Sequence, residues 1–220
     1  MIIHEVQQGS PEWDRVRLGI PTASEFDSII TPDGAMAGKQ ARSFALRLIA
    51  EIMRDTPTFR GTTSWMERGQ DLEEEAVRMY EFTTGNQTER IGFITNDDRT
   101  AGCSPDRLVG NDGLLEIKCP ADWTHVGYLI EHKLDKQYKP QVQAQMLITG
   151  RQWVDWYSYH PDLPPLIIRV ERDEEYLARM RKALKRFTDL MQTWMEKLEA
   201  RGYLTAPDHS LDFYDFAETA

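Results

Sequence analysis

The stretch whose reading decides the fold is Ser104-Pro105-Asp106-Arg107-Leu108-Val109-Gly110-Asn111-Asp112-Gly113-Leu114-Leu115-Glu116-Ile117-Lys118-Cys119-Pro120. Two apolar segments, Leu108-Val109 and Leu114-Leu115, flank Gly110-Asn111-Asp112-Gly113, four residues that favour a tight turn. The pattern predicts a β-hairpin. Residues i and i+2 of a strand share a face, so Glu116 and Lys118 project together while Ile117 projects the other way. Pairing across the turn brings Asp106 beside Glu116. Two carboxylates and one ammonium at a single point form a hard-oxygen site for a divalent metal, with a lysine placed next to it. An ordinary edge hairpin has a solvated polar face. Here a proline precedes the first acid, apolar residues flank the second strand, and a proline ends it.

Further acids and amides fall on apolar faces. The sequence predicts a long helix over 64–83, in which Glu73, Ala76, Val77 and Tyr80 share one side at about 100° per residue. A carboxylate aimed into a core requires a partner or a bound cation. A helix predicted over 139–149 places Gln143 with Met146 and Leu147, also facing inward. Near the N-terminus, Ser10-Pro11-Glu12-Trp13 reads as a capped helix start, and a second helix is predicted from Thr22. Arg15 and Arg17 lie between them. The segment 31–38 is rich in turn formers, and a helix is predicted over 39–54. Strands are predicted at 91–94, across 99–109, at 114–118, and at 153–159 and 166–170, the last two joined as a hairpin. A helix over 123–132 follows the quoted stretch. The final helix, 174–200, carries an apolar stripe of Leu177, Met180, Leu184, Phe187, Met191, Trp194 and Leu198, a packing face. Its basic flank (Arg179, Arg181, Lys182, Lys185, Arg186) reads as solvated, the alternative being a wall of a DNA path. From about 203 the chain becomes an acidic tail.

The chain has 220 residues and a formal net charge of −10, which argues against a protein that coats nucleic acid non-specifically. An enzyme with positive charge confined to one channel remains compatible with that balance. No apolar run approaches the ~20 residues of a membrane span, and the N-terminus lacks the pattern of a signal peptide. Its two cysteines form no metal motif. A cytoplasmic protein and one domain over 1–220 are the expectation.

Pro105-Asp106 with Glu116-Ile117-Lys118 resembles the signature of the PD-(D/E)xK nucleases. Further blocks narrow the resemblance to the phage lambda exonuclease family, the alkaline exonucleases of phage recombination systems. These are Trp13…Arg17-Leu18-Gly19…Thr22-Ala23-Ser24-Glu25, Gly69…Glu73…Ala76, Cys103-Ser104-Pro105-Asp106, Gln141-Val142-Gln143 and Val170-Glu171-Arg172-Asp173-Glu174.

That resemblance implies an α/β fold, a central mixed sheet flanked by helices like the core of type II restriction enzymes. It implies a 5′→3′ exonuclease acting on linear double-stranded DNA and releasing mononucleotides. It further implies a ring-shaped homotrimer working with a single-strand-annealing partner. Carried onto this chain, Asp106, Glu116 and the Ile117 carbonyl hold Mg²⁺, with Mn²⁺ able to substitute, and Glu73 serves a second ion. Lys118 positions or deprotonates the attacking water, and Gln143 orients the site. Arg17, Ser24 and Ser104 match the pocket for a 5′-phosphate. Met36 and Met66 are candidates for a wedge that opens the duplex. Two other readings are a restriction-type or structure-specific endonuclease on the same core and a non-catalytic DNA-end-binding adaptor. Joint retention of Glu73, Asp106, Glu116 and Lys118 speaks against the adaptor.

Overall fold

Alternation along the quoted stretch builds the sheet that carries the site. A computed structural model describes residues 1–58 and 64–204, with the side chains of 64–71 excepted. In chain order the elements are β1 (Ile2–His4), α1 (Pro11–Val16), α2 (Lys39–Arg54), α3 (Ser64–Thr84), β2 (Thr88–Glu89), β3 (Phe93–Thr95), β4 (Gly102–Cys103), β5 (Arg107–Val109) and β6 (Gly113–Lys118). There follow α4 (Asp122–Glu131), α5 (Lys139–Thr149), β7 (Trp153–Ser158), β8 (Leu166–Glu171) and α6 (Glu174–Ala200). Short 3-10 helices occupy Ala23–Ser28 and Lys136–Tyr138.

The predicted hairpin is β5–β6, antiparallel, with Arg107 opposite Leu115 and Val109 opposite Gly113. It belongs to a five-stranded sheet ordered β2-β5-β6-β7-β8, in which β6 and β7 run parallel and the other pairs antiparallel. The sheet is mixed, and helices cover both of its faces. A smaller antiparallel sheet, β1-β3-β4, lies beside it.

One strand expectation is corrected. The segment 99–109 is not one strand: β4 belongs to the small sheet and β5 to the large one. Ser104-Pro105-Asp106 crosses between them. Pro105 has no N–H to give to a ladder, so pairing stops there. The segment from Thr22 is likewise a 3-10 helix rather than an α-helix.

Strands β5 to β8 of the large sheet send alternate residues to two cores. Leu108, Leu114, Val154 and Trp156 join the main cluster with α2, α5 and α6. Val109, Leu115, Ile117 and Tyr157 join a second cluster under α3, with its Ala76, Val77 and Tyr80. Glu116 and Lys118 have the parity of Leu114 and therefore face α5. Arg107 has the parity of Val109 and faces α3. The α6 stripe is buried from Leu177 to Met191 and half-buried at Trp194 and Leu198, with Phe187 packed on Phe44 of α2. Its flanking Arg179, Arg181 and Lys185 pair with Glu175, Glu174 and Asp189 along the same helix.

Gly19 ends the first helical segment in a left-handed conformation, φ 68°, where a Cβ would stand 2.5 Å from Ile52 of α2. Only glycine meets both demands. Among the described residues no helix is long and apolar enough to cross a membrane.

Candidate active site

The hairpin brings Asp106, Glu116 and Lys118 together. The Asp106 carboxylate accepts the Ile117 N–H at 2.5 Å, which locks it onto the second strand. Lys118 Nζ donates to Glu116 Oε1 at 2.5 Å. Glu116 is buried and receives two further donors from α5: Gln141 Nε2 to Oε1 at 2.6 Å and Gln145 Nε2 to Oε2 at 2.5 Å. Gln141 and Gln145 are one helical turn apart and so meet the same strand residue. A carboxylate offers about four acceptor positions. Three donors leave room for a further ligand on Glu116.

The electrostatics of the cluster follow from its burial. Burial, then the neighbouring Glu116 charge, raise the Asp106 pKa well above the usual carboxylate range, and the more distant Glu73 adds to this. Lys118 and the Ile117 N–H act against that shift without cancelling it. Burial alone would lower the Lys118 pKa, but the Glu116 and Asp106 carboxylates outweigh it, and the net shift is upward. Lys118 also lies 5.2 Å from the centre of the Tyr138 ring, within cation–π range. The cluster is rich in carboxylate oxygen and carries more negative than positive charge. Mg²⁺ takes oxygen ligands and is commonly bound by only one or two carboxylates plus water and phosphate. Asp106 and Glu116 fit that requirement. Among the described residues, no three side chains of the His, Cys, Asp and Glu types form a group that would hold an ion.

The remaining predicted residues fall into place unevenly. Trp13 links two of them: its indole N–H donates to Ser104 Oγ at 2.9 Å, and the Arg17 guanidinium stacks 3.6 Å from the centre of its ring. Ser10 caps the helix carrying Trp13, as its sequence suggests. Gln8 donates to the Pro105 and Ile91 carbonyls and ties this corner to the approach of Asp106. Ser24 is exposed, 3.3 Å from the Thr22 hydroxyl, and the Thr22 to Gly102 bridge docks its segment beside β4. Ser104 and Asp106 are thus neighbours through the crossover, not through a shared strand face.

Gln143 is a correction. It does not address the carboxylates: its Nε2 donates to the Glu171 carbonyl at 2.8 Å, and its Oε1 accepts the Asp173 N–H at 3.0 Å. It anchors the start of α6, while its neighbours at Gln141 and Gln145 hold Glu116. Glu73 lies on the face of α3 that the periodicity implies, but its Oε1 accepts from Arg107 Nη1 at 2.6 Å. Met36 is partly buried against the main core and bridges Ile30, which does not suit a wedge. The Met66 side chain and the tail beyond 204 lie outside the described residues.

A profile of the YqaJ-like viral recombinase domain matches residues 12–152, more than half of the 220-residue chain. The chain belongs to the YqaJ-like viral recombinase family. Every residue of the cluster, from Trp13 to Gln145, lies inside the span that matches the YqaJ-like domain. The chain is similar to an alkaline exonuclease, LHK-Exo, from Laribacter hongkongensis, at 32% identity and a TM-score of 0.80 over 88% of this chain and 98% of that one. LHK-Exo in complex with dAMP matches to the same extent. A phage related exonuclease from Haemophilus somnus 129PT, at 14% identity, matches with a TM-score of 0.65 over 81% of this chain and 96% of that one, which shows a shared fold. Comparison with curated proteins gives no match.

The sequence assigns no role to four residues of this YqaJ-like site: Trp13 as a link, Arg107, Gln141 and Gln145. A four-residue spacing of glutamines marks the last two as a pair on one helix face. No local signal points from Arg107 to Glu73.

Proposed function

We propose that the protein is a metal-dependent 5′→3′ exonuclease. It removes mononucleotides from the 5′-ended strand of linear duplex DNA and leaves a 3′ single-stranded overhang for an annealing protein. The observation that carries this reading is the cluster of Asp106, Glu116 and Lys118, with Arg17 and Ser104 joined through Trp13 beside it. Family membership and the likeness to an alkaline exonuclease support it.

Asp106, Glu116 and the Ile117 carbonyl would hold Mg²⁺, or Mn²⁺ in its place. The bound ion would supply a water of lowered pKa and offset charge on the scissile phosphate. Lys118, held by Glu116, positions or deprotonates the attacking water. Gln141 and Gln145 keep Glu116 in one orientation. Direction of attack needs a second anchor that recognises what only one strand end possesses. A 5′-phosphomonoester carries more charge than an internal phosphate, and a guanidinium grips two of its oxygens at once. Arg17, linked to Ser104 through Trp13, suits that role, and the family resemblance assigns Ser24 to the same pocket.

Arg17→Ala tests the assignment. Losing about one charge-assisted hydrogen bond, roughly 1.5–3 kcal/mol, predicts a fall of about 10- to 150-fold on 5′-phosphate ends. The rate on 5′-hydroxyl ends should change little, so the two converge. An undiminished preference for phosphorylated ends in the variant would remove Arg17 from the site. A covalently closed duplex circle in the same assay should remain intact; its cleavage would favour the endonuclease reading.

A further inference from the structure

Lys118 meets a second group besides Glu116. Its Nζ lies 5.2 Å from the centre of the Tyr138 ring, and its side chain is 25% exposed. Tyr138 stands at the junction of the 3-10 helix Lys136–Tyr138 and α5. The Asp135 carboxylate caps that turn by accepting the Gln137 N–H, and the Asp135 carbonyl accepts the Tyr138 N–H at 3.0 Å. The ring is held as well as its backbone. It packs on Trp156 of β7 at 5.3 Å between centres, and its hydroxyl is 3.2 Å from that of Tyr128 on α4. Tyr128 in turn meets Trp156 edge-on at 5.0 Å, so the three rings close on one another. Trp156 is fully buried and pairs in register with Glu116, on the same face of the sheet.

We infer that Tyr138 is a positioning residue of the site, its ring face fixing where the Lys118 ammonium stands beside the attacking water. The inference rests on the exonuclease reading above and adds a residue to that site. Core packing accounts for the three rings lying together. It does not require an ammonium within the reach of about 6 Å at which a ring attracts a cation. The triad rises from the strand next to the one that carries Glu116 and Lys118, so a rigid apolar base stands beneath the contact.

A lysine needs such a guide. Its four-carbon stem is flexible, and its ammonium is a point charge without the fixed fork of arginine. Glu116 alone holds it incompletely. The Oε1 atom that accepts from Lys118 also accepts from Gln141 at 2.6 Å, and a divalent ion on Glu116 would draw on the same carboxylate. An aromatic face attracts an ammonium through its quadrupole and demands no particular N–H direction. Its carbons are no ligand for a hard cation, which takes oxygen. Tyr138 therefore keeps hold of Lys118 when Glu116 serves other partners. The Tyr138 hydroxyl, paired with Tyr128, orients the ring, and the contact with Lys118 belongs to the ring itself.

The test grades the ring without changing its shape. Phenylalanine and its mono-, di- and trifluorinated analogues are placed at position 138 of the full chain, and nucleotide release from a 5′-phosphorylated duplex is followed with Mg²⁺ at one pH. Fluorine draws charge from the ring face and weakens its hold on a cation while scarcely altering its size. Tyr138→Phe should keep most of the native kcat. From there kcat should fall with each fluorine at unchanged melting temperature. Tyr138→Leu, without a π face, should lose roughly 5- to 30-fold in kcat, as a partly desolvated cation–π contact implies, with KM for the duplex little changed. A second readout needs no metal. With lysines ¹³C-labelled at Cε, the Lys118 signal, identified by its loss in Lys118→Arg, should be shifted upfield by the ring and move back in Tyr138→Leu. A kcat that ignores the fluorine count, rises with it or merely tracks melting temperature would overturn the inference while leaving the exonuclease reading intact. A Lys118 signal unmoved by Tyr138→Leu would do the same. No release by the native protein would overturn the exonuclease reading, and the role given to Tyr138 with it.

Discussion

Asp106 holds a proton more tightly than an exposed aspartate because burial and the adjoining Glu116 both disfavour its charge. The sign of the effect on stability follows. A carboxyl whose folded-state pKa is raised stabilises the fold while protonated, and that contribution is lost as pH rises through the raised value. Asp106→Asn keeps an oxygen for the Ile117 N–H and removes the penalised charge. In EDTA at pH 8 the variant should melt above the native protein, each kcal/mol recovered moving Tm by about 2–4 °C. The difference should shrink as pH falls toward the ordinary aspartate value of about 4. A variant that melts lower, or a gap that ignores pH, contradicts the reading of Asp106. Asp106, Glu116 and Lys118 are legible in the sequence because turn chemistry and strand parity act over a few residues. Arg107 is not, because its partner Glu73 lies 34 positions away and nothing local marks the pair. Gln143 misleads for a related reason. Helical periodicity groups residues on a face, but tertiary packing decides which face meets β6.

Elements show the same division between local and distant causes. The limits of α2 and α6, and the hairpins β5–β6 and β7–β8, follow from periodicity, caps and turn residues in the chain itself. The crossover at Ser104-Pro105-Asp106 depends on which sheet each flanking strand finds, although Pro105 signals the break. Attachment of the small sheet depends on a close approach that only the fold reveals. At Gly92, just before β3, an added Cβ would stand 2.0 Å from the Val6 carbonyl oxygen and 2.8 Å from that of His4. Both atoms are backbone, so relief requires moving the β1 segment. Gly92→Ala should therefore destabilise the protein by about 1–3 kcal/mol, as overpacking commonly does, lowering Tm by roughly 2–12 °C. Unchanged melting would mean that β1 yields without cost. Hydrogen exchange localised to residues 2–6 and 93–95 would identify the strand that gives way.

For the whole molecule, a net charge of −10 sits beside a proposed role on DNA. Three basic side chains of α6, Arg179, Arg181 and Lys185, pair with acids of the same helix, which moderates their attraction for phosphate. In the proposed role, Arg17 and Lys118 are cations placed near the site for contact with phosphate. An acidic exterior with a confined positive path suits an enzyme that admits only strand ends. The resemblance to phage exonucleases leads us to propose a homotrimeric ring around the duplex. Light scattering at micromolar concentration should report three times the mass of the 25.5 kDa chain, and a monomer would contradict it. The proposed chemistry at Asp106, Glu116 and Lys118 is measured by nucleotide release from a linear, 5′-phosphorylated duplex. With Mg²⁺ the native protein should release mononucleotides from the 5′ ends, while EDTA, Asp106→Asn and Glu116→Gln should each abolish release. Hydrolysis that persists without metal or in either variant, or no hydrolysis by the native protein with Mg²⁺, would contradict the account.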